Sequence, residues 1–160
     1  MRIGLISDTH GLLRPEAMDA IQGSERIVHA GDIGDPAILE ALARIGPVVA
    51  VRGNNDRDGW ADALPHAAGL DAEGVRVHVI HDAADLRGHP PPADASVVVA
   101  GHSHRPSVVE RDGRLHVNPG SAGPRRFSLP VTVALLDVEA GRASVTIVPL
   151  PIGPARRARA

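Results

Sequence analysis

Short apolar runs alternate with polar clusters through the first third of the chain. Three of these runs have the length and the Ile, Leu and Val content of buried strands: residues 2–7, 26–29 and 48–51. Proline and glycine punctuate the segments between them, which predicts helices from Pro15 to Gln22 and from Pro36 to just before Gly46. Strands that alternate with helices predict an α/β layered fold with a parallel sheet in this half of the chain.

The second half of the chain has a different pattern. Pairs of apolar runs flank turn-like connections, which predicts three hairpins, at residues 66–80, 107–117 and 131–148. A further strand is expected at 96–100, and the proline-rich residues 84–95 predict a loop with at most one helical turn. This half is therefore expected to be mostly antiparallel. We expect one domain over residues 1–150 and a basic tail at 151–160 that frays.

Composition narrows the chemistry available to this chain. Its 160 residues carry a net charge of −2, which gives no electrostatic argument for binding nucleic acid or an anionic membrane. No apolar run has the length of a membrane span and the N-terminus lacks a signal-peptide pattern, so we expect a cytoplasmic protein. Because the chain has no cysteine, any metal site must use His, Asp, Glu or Asn.

Side chains that can bind metals follow five of the predicted strands. The most conspicuous pair is His102 and His104, directly after the apolar run that ends at Ala100. The other candidates are Asp8 with His10, Asp32, Asn54 and His81. Ligands of open α/β sheets bind beyond the carboxyl ends of the strands, so these side chains are expected to meet. The alternative interpretation is that all of them are polar caps of strands.

Seven nitrogen and oxygen ligands exceed the three or four that one divalent metal needs. A set of this size, with one carboxylate free to bridge, fits two ions about 3.5–4 Å apart. Mixed imidazole, carboxylate and amide ligands suit Mn, Fe, Zn, Ni or Co better than Ca or Mg.

The order of these motifs resembles that of the calcineurin-like metallophosphoesterases. Five motifs carry the resemblance: Asp-x-His, Gly-Asp-x-x-Asp, Gly-Asn-x-Asp, a lone His and Gly-His-x-His. It spans residues 2 to about 150 and includes the turn at 118–121 that is usual in the small bacterial and archaeal phosphodiesterase branch. The resemblance implies an α/β fold, a four-layer α/β/β/α sandwich with two facing mixed β-sheets.

The resemblance also implies an activity and a role for each ligand. Two divalent ions per chain, most suitably Mn, share a hydroxide that attacks a small phosphoester in line at phosphorus. One ion is held by Asp8, His10 and His104. The other is held by Asn54, His81 and His102, and the Asp32 carboxylate bridges both. The implied catalytic set is Asp32, Asn54, Asn55 and Asp56.

Position 55 and its surroundings depart from the family pattern. Many relatives have a histidine where this chain has Asn55, which donates a hydrogen bond but cannot titrate, so we expect good leaving groups to be favoured. Asp56 is expected to orient its neighbours rather than act as an acid. The short segment between His81 and Gly101 predicts an open site. Arg125 and Arg126 follow the turn at 118–121 and are candidates for contacting phosphate.

Several residues near the motifs are given supporting roles. His29 is expected to pack or hydrogen-bond beside the site, and Asp35 to act structurally or behind the ligands. Three glycines are expected to permit close backbone approach where strands end: Gly31, Gly53 and Gly101. The histidines without a motif are treated as surface or satisfied polar residues: His66, His78, His89 and His116.

Two other functions compete with phosphodiester hydrolysis. The fold is also that of an endosomal coat subunit with a degraded metal site, so a protein-binding scaffold is one alternative. All four histidine ligands are present here, which disfavours it. A nucleotide or cyclic-nucleotide phosphohydrolase is the other alternative, and an aromatic content of 1% disfavours base recognition by stacking. A homodimer or higher oligomer is left open.

Overall fold

Two five-stranded β-sheets face each other in the computed structural model, which describes residues 1–153. The strands are β1 (Arg2–Ile6), β2 (Arg26–His29), β3 (Val48–Ala50), β4 (Ala67–Ala72), β5 (Val75–Ile80), β6 (Ala95–Val99), β7 (Ser107–Arg111), β8 (Arg114–Asn118), β9 (Thr132–Glu139) and β10 (Arg142–Pro149). The helices are α1 (Pro15–Ile21) and α2 (Pro36–Ala43), and short 3-10 helices span Gly59–Ala63 and Ala83–Arg87.

Each sheet combines parallel and antiparallel neighbours. The first has the order β10-β9-β1-β2-β3, with β1, β2 and β3 parallel and β9 antiparallel to both β1 and β10. The second has the order β4-β5-β6-β8-β7, in which β5, β6 and β8 are parallel and the two edge strands are antiparallel to their neighbours. The parallel strands of both sheets supply the residues of the candidate site at their carboxyl ends.

The space between the sheets is filled by aliphatic side chains. Valine, leucine, isoleucine and alanine from both sheets form one buried cluster, with β5 and β6 facing β1 and β9. This composition follows from the two aromatic residues of the chain, of which Phe127 is 91% exposed. Burial of such side chains is the main source of stability in a domain of this size.

The two α-helices pack on the outer face of the first sheet. Each begins with a proline at its first positions, and the side chain of Asp35 caps α2 by accepting a hydrogen bond from the Ala37 amide (2.9 Å). Ile21 of α1 and Leu42 of α2 are fully buried in a second apolar cluster beneath them. Among the described residues, no helix has the length and hydropathy needed to cross a membrane.

The expected architecture of two facing mixed sheets is confirmed, and so are the three hairpins. The sequence did not predict that the last hairpin pairs with β1 in the first sheet. The reason is that β9 is buried on both faces, so it needs a central position, while β10 alternates in exposure as an edge strand does. In the second sheet, β5 contacts the 3-10 helix Ala83–Arg87. The basic residues 154–160 lie outside the described part of the chain.

His29 is a fully buried polar residue at the end of β2. Its Nδ1 accepts a hydrogen bond from the Gly31 amide (3.1 Å), so the ring proton is assigned to Nε2, which lies 3.0 Å from the Thr9 hydroxyl oxygen. Thr9 in turn donates to the Ile33 carbonyl (2.9 Å). Burial lowers the pKa of His29 to about 4, so the ring is neutral at pH 7.

The stability of the metal-free protein should therefore depend on the protonation of His29. The pKa of His29 is about 4 in the folded state and about 6.5 in the unfolded state, so the unfolded state binds more protons between these values. The free energy of unfolding should fall by about 2 kcal/mol from pH 7 to pH 5 through this group. Urea denaturation at the two pH values measures this fall, which should be smaller in His29→Gln.

Between pH 7 and pH 5, the titration of Asp8 and Asp32 does not contribute to the change in the free energy of unfolding. The pKa values of Asp8 and Asp32 are lowered in the folded state, so their contribution is lost only as pH falls below about 4. Equal pH dependence in the wild-type protein and in His29→Gln would contradict the assignment.

Candidate metal centre

The seven predicted ligands lie together at one edge of the two sheets. Each follows a parallel strand: Asp8 and His10 follow β1, Asp32 follows β2, Asn54 follows β3, His81 follows β5, and His102 and His104 follow β6. The first three strands belong to one sheet and the other two to its partner. The site is therefore built by both sheets, and it exists only when they are packed.

The first group of ligand atoms comes from Asp8, His10 and His104. Oδ1 of Asp8 is 3.3 Å from Nε2 of His104 and 3.6 Å from Nε2 of His10, and the two imidazole nitrogens are 3.4 Å apart. Burial would raise the pKa of Asp8, but the nearby His10 ring and the hydrogen bond from Ser7 lower it below its ordinary value. The carboxylate is thus ionised while it is fully buried.

The buried Oδ1 of Asp8 has no hydrogen-bond partner among the described residues. The other oxygen, Oδ2, accepts from the Ser7 hydroxyl (2.6 Å) and from the His102 amide (3.0 Å). An unpaired charged oxygen is costly in a protein interior, and here it faces two imidazole nitrogens. A cation among these atoms would satisfy all three.

The second group comes from Asp32, His81 and His102, with Asn54 between the histidines. Oδ1 of Asn54 is 2.9 Å from Nε2 of His81 and 3.1 Å from Nδ1 of His102. Nδ1 of His81 lies 2.7 Å from the carbonyl oxygen of Ala30 and donates to it, which leaves the lone pair of Nε2 facing the group. A ring held in this way is the usual arrangement of a metal-binding histidine.

The carboxylates of this group also favour a positive charge on His81 in the metal-free chain. Burial disfavours the protonated ring, but the carboxylates of Asp32 and Asp8 raise the pKa of His81 above its ordinary value. The second group therefore attracts positive charge, either as a proton on His81 or as a cation.

Asp32 lies between the two groups. Its Oδ2 is 3.3 Å from Nε2 of His81 and 3.7 Å from Nε2 of His10. Burial would raise the pKa of Asp32, but the contact with His81, which is attractive when that ring is protonated, and the hydrogen bond from the Asn55 amide hold it well below its usual range. One ionised carboxylate thus reaches ligands of both groups.

Asn55 and Asp56 hold the loops that carry the ligands. The backbone amide and Nδ2 of Asn55 donate to the two oxygens of Asp32, at 2.8 and 3.1 Å. The buried carboxylate of Asp56 accepts from three backbone amides, those of Ile33 (3.2 Å), Gly34 (3.0 Å) and Gly53 (2.9 Å). These bonds join the loop after β2 to the loop after β3.

Five of the seven candidate ligands have a left-handed backbone. The φ angles are +55° at Asp8, +46° at His10, +55° at Asp32, +71° at His102 and +63° at His104. Asp and His adopt this region more readily than most residues, but it still costs free energy relative to the right-handed region. Strain of this kind is typical of functional sites, where the surrounding structure holds it in place.

Two glycines permit the close approach of these loops. A Cβ atom at Gly53 would overlap the backbone nitrogen and Oδ1 of Asp32, and one at Gly101 would overlap the Ser7 hydroxyl and the Asp8 carboxylate. The expectation of close backbone approach is therefore confirmed at both positions. At Gly31, a Cβ atom would overlap the ring of His81.

Other predicted residues have supporting contacts. Asp35 caps α2, as described above. The guanidinium of Arg125 donates to the Ile152 carbonyl (3.4 Å), so it is engaged away from the ligands. Burial and the positive charge of Arg126 lower the pKa of His104, while the Asp8 carboxylate opposes this shift.

The sequence analysis missed several residues that hold the ligands. The Ser121 hydroxyl donates to the Asp8 carbonyl (2.9 Å), and Oδ2 of Asp82 lies 3.6 Å from Nε2 of His102. Nδ2 of Asn118 donates to the Gly101 carbonyl and to the Ser103 hydroxyl, both at 3.0 Å. In the sequence, the only indication of a role for Ser7 and Asp82 is that each is adjacent to a candidate ligand. Ser121 and Asn118 lie in the turn at 118–121.

Known proteins with this combination of fold and motifs are phosphoesterases and their relatives. A family model, the calcineurin-like phosphoesterase superfamily domain, matches residues 1–141. A probable metallophosphoesterase of Methanothermobacter thermautotrophicus is 35% identical, and the alignment covers 92% of this chain and 92% of the relative. The chain therefore belongs to the calcineurin-like phosphoesterase superfamily.

Solved structures confirm the fold. An archaeal phosphodiesterase superposes with a TM-score of 0.74 at 22% identity, covering 92% of this chain and 100% of that chain. Vps29 of Chaetomium thermophilum superposes with a TM-score of 0.75 at 20% identity, covering 94% and 98%. The superfamily uses divalent metals, which agrees with the two ligand groups found here.

Replacing Gly101 by alanine should disturb the centre without removing a ligand. The new Cβ must displace Ser7 and the Asp8 carboxylate, so we expect a loss of about 1–3 kcal/mol in the free energy of unfolding and weaker metal binding. Gly59→Ala is the matched control, because its Cβ would meet nothing within 4 Å, and it should stay within about 0.5 kcal/mol. Urea denaturation and calorimetric metal titration measure both. Equal stability of the two variants would contradict the crowding at Gly101.

The backbone strain at His102 can be tested by comparing two variants that both lack the ligand. With φ at +71°, His102→Gly should be more stable than His102→Ala by about 1 kcal/mol in the metal-free protein. At an unstrained position, the alanine variant is usually more stable than the glycine variant. The sign of the difference in the free energy of unfolding therefore shows whether the backbone at His102 is strained. Urea denaturation gives that sign.

Proposed function

We propose that this protein is a metal-dependent phosphodiesterase that holds two divalent ions and hydrolyses a small phosphodiester by in-line attack of water on phosphorus. The observation that supports it most directly is the pair of ligand groups joined by the Asp32 carboxylate, whose Oδ2 is 3.3 Å from His81 and 3.7 Å from His10. One carboxylate shared by two groups is what a two-metal site needs.

The residues present fit two ions. Metal–ligand bonds of about 2.0–2.2 Å place neighbouring ligand atoms roughly 3–3.5 Å apart, and the distances within the first group are 3.3 to 3.6 Å. We assign Asp8, His10 and His104 to one ion, Asn54, His81 and His102 to the other, and Asp32 to both. Imidazole, carboxylate and amide donors together suit Mn, and also Fe, Zn, Ni or Co.

The chain's own groups set the conditions for the reaction. When bound, two divalent ions lower the pKa of a water molecule and neutralise charge on the phosphoryl oxygens. Asp32 remains ionised because its pKa is low, and the Ala30 carbonyl orients His81. The nearby Ser7 hydroxyl is fully buried and donates to Asp8, so we assign the nucleophile to water and propose no covalent intermediate.

The leaving group receives little help from positions 55 and 56. Nδ2 of Asn55 is a hydrogen-bond donor without a transferable proton, and the carboxylate of Asp56 is already bound by three backbone amides. We therefore assign Asn55 to holding Asp32 and the substrate, and Asp56 to positioning the loops. Substrates with good leaving groups should be hydrolysed fastest.

A protein-binding scaffold is the second candidate, because Vps29 of Chaetomium thermophilum shares the fold with a TM-score of 0.75. The two complete ligand groups favour the enzyme over the scaffold. A nucleotide or cyclic-nucleotide phosphohydrolase is an alternative within the enzyme class. The cytoplasmic location and the absence of nucleic-acid binding remain predictions, and a homodimer or higher oligomer is left open.

The proposed activity can be tested with metal analysis and one aryl diester. Purified protein should carry up to two metal ions per chain and hydrolyse bis(p-nitrophenyl) phosphate with added Mn. Asp32→Ala should lose metal from both groups and lower the hydrolysis rate by at least about 100-fold, because it removes the shared ligand.

Asp19→Ala is the matched control for Asp32→Ala. It removes an exposed carboxylate on α1, so metal content and rate should match those of the wild-type protein. Circular dichroism shows whether both variants are folded. A folded wild-type protein that binds no metal and hydrolyses no diester, with His102 and His104 intact, would overturn the proposal.

A further inference from the structure

A groove of about 190 Å³ lies on the outer face of the second sheet, beside the candidate metal centre. Neighbouring strands form its surface in register, because Val98 of β6 pairs with His116 of β8, which pairs with Val109 of β7. Ala100 and Asn118 line the groove one residue pair closer to the centre. The groove thus runs across the sheet face from the ligand loop towards the edge strand.

His102 belongs to both the groove and the candidate metal centre. Its Nδ1 is 3.1 Å from Oδ1 of Asn54 in the second ligand group, and the same residue lines the groove. The side chain is 45% exposed, so it is accessible to a molecule that approaches from solvent. A molecule bound at the metal centre can therefore extend into the groove without a change of the backbone.

Apolar atoms form the larger part of the groove surface, to which Val98, Ala100 and Val109 contribute. Polar and charged side chains also line it: Asp82, Ser103, Ser107 and Arg111. Burial and the charges of Arg111 and Arg114 lower the pKa of His116, so this ring is neutral at pH 7. The amide of Asn118 is engaged in full, since Nδ2 donates to Gly101 and Ser103 and Oδ1 accepts from the Gly120 amide (2.9 Å).

The other side of the centre carries more charged side chains. A wider cavity of about 440 Å³ is lined there by the ligands Asn54 and His81 together with charged and polar residues. These are Arg52, Asp56, Arg57, His66, Asp82 and Asp85. The two sides of the metal centre thus differ in size and in the number of charged side chains.

We infer that the groove is a binding subsite for one uncharged, apolar ester arm of a phosphodiester, of the size of a single aromatic ring or a short aliphatic chain. Its volume is below the 300–1,000 Å³ of pockets that hold drug-sized ligands, which limits the arm to that size. This subsite rests on the proposed function. It narrows the substrate of the enzyme to diesters with two unlike ester arms, of which the polar arm lies in the cavity with the charged side chains.

Two adjacent valines of β7 provide a matched pair of variants. Val109 is 45% exposed and faces the groove, whereas Val108 is 40% exposed and pairs with Val117, which is buried between the sheets. Val109→Trp should fill the groove, and Val108→Trp makes the same change on the other face of the same strand. Neither residue is a candidate ligand.

The binding test uses Zn-loaded, ¹⁵N-labelled protein with diphenyl phosphate and with dimethyl phosphate. Diphenyl phosphate should shift the amide signals of Ala100, Val109 and His116, and dimethyl phosphate should not. Val109→Trp should weaken binding of diphenyl phosphate about tenfold, and Val108→Trp should leave it within twofold. Hydrolysis of bis(p-nitrophenyl) phosphate should show the same tenfold fall in kcat/KM for Val109→Trp alone.

The outcomes separate this subsite from the activity it serves. Hydrolysis with equal kcat/KM in the wild-type protein and both tryptophan variants overturns the subsite and leaves the phosphodiesterase intact. Groove binding of diphenyl phosphate without hydrolysis of any diester supports the subsite and overturns the activity. Concentration-dependent shifts of the same amides without ligand would show that a second copy of the chain covers the groove, which also overturns the subsite.

Discussion

The buried carboxylate of Asp32 is the interaction on which the rest of the site depends. It leaves β2 of the first sheet, contacts His81 of the second, and receives both donors of Asn55 from the loop after β3. Burying a charge is costly unless it is paired and hydrogen-bonded, and these neighbours supply that pairing. Because they come from separate segments, the pairing ties the two sheets together at the edge where the ligands lie.

Supporting contacts behind the ligands explain why the geometry is ready before any ion binds. Ser7 fixes one oxygen of Asp8, the Ala30 carbonyl fixes the tautomer of His81, and Asp56 joins the loops that carry Asp32 and Asn54. Contacts of this kind set the orientation and basicity of metal ligands. They leave Asp8 with one oxygen directed at its histidine neighbours and at nothing else.

The sequence was informative where local order determines structure. Strands, hairpins and the ligands that follow them could be predicted, because polar residues at strand ends are visible in a linear pattern. The placement of β9 beside β1 could not, since it depends on burial of both its faces by partners distant in sequence. The contacts of Asp56 and of Arg125 were hidden for the same reason.

The left-handed backbone at Asp8, His10, Asp32, His102 and His104 has a consequence for how this fold changes over time. Glycine adopts that conformation without steric cost, so exchange of one of these side chains for glycine removes a candidate ligand and relieves backbone strain in one step. In a lineage released from the need for metal, relief of strain would favour this exchange at the exposed His102, whereas the loss of buried hydrogen bonds would oppose it at Asp8 and Asp32.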